Sequence, residues 1–130
     1  GAYRLKNAGN KRKVILIATG SEVHIALECA EALEKQGVGA DVVSMVCTQL
    51  FDEQDDAYKA DILPNVDPGE ILRVSIEAGT TFGWERYTMA NGLNIGIDRF
   101  GASAPADDLF EKFGITADAI VPQIMNKLNA

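Results

Sequence analysis

Val14-Ile15-Leu16-Ile17-Ala18 runs without a polar residue and ends on Thr19-Gly20-Ser21. A strand with one wet face would alternate, whereas this run is apolar at every position and rich in β-branched residues. Such a strand needs cover on both faces, which a parallel sheet flanked by helices provides. The residues that follow supply part of that cover. From Ser21 to Gln36, the side chains of Val23, Ala26, Leu27, Ala30 and Leu33 share one helical face, and His24, Glu28, Glu31 and Lys35 share the other. Glu31 and Lys35 stand at the favourable i,i+4 spacing. Thr19 and Glu22 have capping-box spacing, Ser21 is a competing N-cap, and Gly37 is placed to end the helix.

The strand–helix unit then recurs. Asp41 to Met45 reads as a second strand, and Phe51 to Leu63 as a helix stopped by Pro64. Ile71 to Ile76 reads as a third strand, Phe82 to Met89 as a short helix, and Asn94 to Ile97 as a fourth strand. Pro105 to Phe113 is a helical segment with proline in its first turn and Gly114 after its end. A last helix runs from near Asp118 to Leu128, with Pro122 either delaying its start or making its first turn irregular. Tyr3 to Lys6 suits an added antiparallel edge. Alternating strands and helices imply crossover connections, so the expected fold is α/β: a three-layer α/β/α arrangement around a mostly parallel sheet of four to five strands.

A chain of 130 residues, 47% hydrophobic and 24% charged, suits one domain with an ordinary core. Its charge of 12 − 19 = −7 disfavours nucleic acid as a partner. Lys11-Arg12-Lys13 is the one basic run and reads as a solvated strand entry. No apolar run approaches the ~20 residues of a membrane helix, so no membrane partner is expected. Two cysteines, Cys29 and Cys47, and a single histidine leave no basis for a zinc site. Free thiols suit a reducing, cytoplasmic compartment. The chain opens on Gly1 rather than methionine, which fits a processed chain or a fragment.

Several residues invite a chemical reading. Gly20 and Ser21, after the first strand, form a possible anion site, because free amides and the positive end of a helix dipole meet there. The turn lacks the glycines of GxGxxG and the lysine of a P-loop, so a plain tight turn competes. His24 falls on a polar helix face near Glu28, with no nucleophile at matching spacing. Glu77 follows the third strand directly, where open α/β sheets carry function, or else caps the next helix or pairs with Arg86. Asp52, Glu53, Asp55 and Asp56 crowd a helix start, which the dipole explains without a metal. Trp84, Tyr87 and Phe100 are possible interface residues; Trp84 and Tyr87 suit a core equally well.

Taken together, several stretches resemble the C-terminal domain of transketolases. They are GAYRL at the start, VILIATGSEV (14–23), VVSM with LFDEQDDAY and ILP, IEAG with Trp84 and Tyr87, FGASAP (100–105) and LFEKFGIT (109–116). They occur in family order and span nearly the whole chain. One departure is Val46, where the family commonly has proline. The resemblance implies a single domain, residues 1–130, at the C-terminal end of a longer transketolase chain. Such a parent moves a two-carbon ketol unit between sugar phosphates in the pentose phosphate pathway, using thiamine diphosphate and a divalent cation, magnesium or calcium. The family's catalytic and cofactor motifs lie in its two larger domains. No catalytic, cofactor-binding or metal residue is therefore carried over to this chain. Its implied partners are the N-terminal and middle domains of its own chain and, through them, a second copy in a homodimer. The same domain type occurs in deoxyxylulose-phosphate synthases and two-oxoacid dehydrogenase β-subunits, and a free-standing small-ligand or phosphate-binding module is the remaining alternative.

Overall fold

The computed structural model describes residues 1–64, 70–79, 81–96 and 114–129. The described residues form five strands: β1 (Ala2–Lys6), β2 (Arg12–Ala18), β3 (Gly39–Met45), β4 (Leu72–Ile76) and β5 (Leu93–Ile95). They form one sheet in the order β1-β3-β2-β4-β5. β1 pairs antiparallel with β3, and the other pairings are parallel. The helices among the described residues are α1 (Val23–Lys35), α2 (Thr48–Glu53), α3 (Asp56–Ile62), α4 (Glu85–Thr88) and α5 (Ala117–Leu128).

The apolar run at 14–18 behaves as its composition dictates, because all five side chains are 0% exposed. Alternation sends them into two separate cores. Val14, Leu16 and Ala18 pack with Ala26, Cys29, Ala30 and Leu33 of α1 and with Ile120 and Ile124 of α5. Ile15 and Ile17 pack on the opposite face with Phe51, Ile62, Leu63, Trp84 and Tyr87. The Cys29 thiol is pushed up to about 12, first by burial and then by the Glu28 charge, which keeps it in the unreactive thiol form.

Several local readings are corrected. The segment 51–63 is two helices, not one, because the Asp55 side chain accepts the Tyr58 N–H at 2.8 Å and starts a new helix. No side chain caps the start of α1. Thr19, Gly20 and Ser21 instead lead through a 3-10 turn at Gly20–Glu22, in which the Glu22 N–H reaches the Thr19 carbonyl at 3.0 Å. The segment 82–89 is helical only at Glu85–Thr88. α5 starts at Ala117, capped by Thr116, and simply runs through Pro122. Pro105–Phe113, Phe100 and Ile97 lie outside the described residues. Among the described residues no helix is long and apolar enough to cross a membrane.

The antiparallel edge is fastened by carboxylates. Asp41 of β3, 2% exposed, accepts the Ala8 N–H and an Arg12 guanidinium N–H, both at 2.8 Å, and stands 3.3 Å from Arg4 Nε. Glu34 of α1 accepts the N–H groups of Gly9 and Asn10 at 2.8 Å and of Ala40 at 3.1 Å. The basic run is thus not wholly solvated, since Arg12 opens β2 and pairs inward.

Candidate functional site

The order of the strands locates the site. From β2 the chain crosses by α1 to β3, on one side, and then returns by α2 and α3 to β4, on the other. The carboxyl ends of β2 and β4 are therefore where the connections part, and open α/β sheets bind ligands at such switch points. A crevice of about 510 Å³ opens there, lined by Thr19, Met45, Val46, Cys47, Thr48, Glu77, Phe82, Gly83, Trp84, Arg86 and Tyr87.

Its charged side chains, Glu77 and Arg86, are both engaged. Glu77 directly follows β4, and its carboxylate accepts the indole N–H of Trp84 rather than pairing with Arg86. Arg86 instead meets Asp52 at 3.0 Å. Asp52 also accepts the Tyr87 hydroxyl at 3.0 and 3.2 Å. Burial, reinforced by the Asp52 carboxylate, raises the Tyr87 hydroxyl above the usual phenol range. Arg73 of β4 donates to the carbonyls of Tyr87 and Pro64, tying α4 to the end of α3.

Each sequence candidate can now be placed. Trp84 and Tyr87 are 7% and 6% exposed, with ring centroids 5.6 Å apart, and form the floor of the crevice over the α2–α4 core. Of the first βα turn, Thr19 lines the crevice. Gly20 has φ +53, and the Ser21 hydroxyl turns to the buried Glu22 carboxylate at 3.0 Å. An anion at that turn would meet this carboxylate. His24 bonds through its ring to the Ser21 carbonyl. Asp55 caps α3, and Asp52 serves Tyr87 and Arg86, so the acidic cluster is divided between two structural tasks. Asp41 and Glu34 organise the antiparallel edge and were not legible, because their partners lie on other elements or in turns.

Comparison with known proteins bears on what this geometry belongs to. The family model described as "Transketolase-like TK C-terminal domain" matches residues 1–116. Chloroplastic transketolase of Solanum tuberosum is 54% identical over 115 residues, which is 88% of this chain and 15% of that protein. Transketolase of Aquifex aeolicus is 42% identical over 127 residues, 98% of this chain and 18% of that protein. Among solved structures, transketolase from Leishmania mexicana superposes with a TM-score of 0.86 at 39% identity, covering 99% of this chain and 18% of that one. The chain thus spans less than a fifth of each of these relatives. The cytoplasmic location expected from the free thiols is overturned, because plant relatives at 54% and 51% identity are chloroplastic proteins. With one family model matching nearly nine-tenths of its length, the chain belongs to the transketolase-like C-terminal domain family.

Proposed function

We propose that residues 1–130 form a single domain whose task is assembly. It is the non-catalytic C-terminal domain of a longer transketolase, packed against the N-terminal and middle domains of its own chain within a homodimer. The parent transfers a two-carbon ketol unit between sugar phosphates in the pentose phosphate pathway, with thiamine diphosphate and a divalent cation, magnesium or calcium. The observation that carries this reading is the family match over residues 1–116 in a domain equivalent to only 15% of a full relative.

The cofactor does not fit the crevice. A diphosphate needs cations free to bind it, and its metal needs unengaged oxygen ligands. Here Arg86 is paired with Asp52, and Glu77 is held by Trp84. Among the described residues no three His, Cys, Asp or Glu side chains converge. No step of the transfer is assigned to this domain.

Two measurements test the reading. The parent open reading frame, expressed whole, transfers ketol units from a ketose phosphate, and an inactive parent would overturn the activity. Calorimetry of the 130-residue chain with thiamine diphosphate and magnesium gives no binding heat. Micromolar binding by the chain alone would overturn the non-catalytic assignment.

A further inference from the structure

Gly1 is tied into the rim of the crevice. Its carbonyl accepts the N–H groups of Val46 at 2.8 Å and Cys47 at 3.0 Å, in the loop after β3. A Cβ at Gly1 would stand 2.8 Å from the Phe51 backbone, so Gly1 lies against α2. Beside this entry two aliphatic side chains stand in water: Val46 is 71% exposed and Leu50 is 53% exposed. Val46 also lines the crevice. From Val46 to Phe51 there is no charged residue, in a chain that is 24% charged overall. Exposed aliphatic side chains in a charge-free stretch are the composition of an interface centre, not of a solvated rim.

We propose that Val46 and Leu50 seat the segment immediately upstream of Gly1 in the parent chain, which lays an apolar side chain over them. The proposal rests on the transketolase reading, because that reading supplies the upstream chain. Attachment favours this occupant over a second copy. A segment joined at Gly1 is held beside Val46 at an effective concentration on the order of millimolar. A second copy must first give up its translational and rotational freedom. The occupant is apolar because burying a charge against Val46 and Leu50 would strip its water without offering a partner.

Maleimide labelling of the parent carrying Leu50→Cys, read by site-specific mass spectrometry, tests the seat. The rate in the native parent is compared with that in the same protein unfolded in denaturant. Native labelling is expected to be at least about tenfold slower, and to stay so on dilution to monomer, as for a group that reacts only after local opening. Equal rates would overturn the proposal. Protection lost on dilution would also overturn it, because it would assign the surface to a second copy. Val46→Cys reports the same surface should Leu50→Cys perturb α2. Ketol-transfer activity of the unmodified parent is measured separately. An inactive parent removes the enzymatic reading without altering the labelling outcome, and rapid labelling in an active parent removes the seat alone.

Discussion

The indole N–H of Trp84 donates to the carboxylate of Glu77, which binds the first residue after β4 to the helix seven positions on. The Glu77 N–H in turn donates to the Ile95 carbonyl at 3.1 Å, so this one residue joins β4, β5 and α4. Trp84 contributes its bulk to the core and its N–H to this junction. Trp84→Ala should destabilise the chain itself by about 3–5 kcal/mol, the range for emptying a buried aromatic site. Trp84→Phe keeps much of the packing and loses the donor, for about 1–2 kcal/mol. Urea unfolding of both variants checks the pair, and a near-neutral Trp84→Ala would exclude a core role.

Asp41 carries the first strand. It is 2% exposed and faces Arg4, Arg12 and the Ala8 N–H. Asp41→Ala leaves two guanidinium groups without their carboxylate, but Arg12 keeps access to water. A loss of about 2–4 kcal/mol is expected, below the full cost of a wholly buried pair. Amide exchange should accelerate selectively over β1 and the loop after it. Uniform acceleration across the sheet would contradict this local role.

Glu34 confers a pH dependence. The Gly9 N–H, with those of Asn10 and Ala40, holds its carboxyl at about 2. The unfolded value is about 4.3, so its contribution is complete above that pH and is lost as pH falls toward 2. Denaturant midpoints measured as a pH series should therefore decline through this window. Glu34→Gln keeps an acceptor but cannot titrate, and its decline should be shallower. Parallel declines in the two proteins would sink the assignment.

Met89 ends α4 with φ 69 and ψ 175, a conformation that suits glycine. Its side chain is 37% exposed, so little packing offsets the strain. Met89→Gly should raise stability by about 1 kcal/mol, the relief of strain outweighing the added chain entropy. Met89→Ala should not, since alanine keeps the Cβ. Thermal unfolding of the two variants separates strain from side-chain loss.

The sequence by itself determined where the strands lie and which of them are buried. Val14–Ala18 and Val42–Val43 are apolar on both faces, and that property resides in adjacent residues whatever the rest of the chain does. It also determined the family, through motifs that are local words such as ATGSEV. Only the tertiary structure decided which polar group meets which. Glu77 lies nine residues from the oppositely charged Arg86, yet it takes Trp84, while Arg86 and Tyr87 reach back to Asp52. Asp41 and Glu34 look like ordinary surface acids until β1 and the following loop fold over them. Hydrophobic period is repeated every turn or every second residue and survives in short windows. A hydrogen-bond partner is one residue, brought near by strand order and crossover, and no local window contains it.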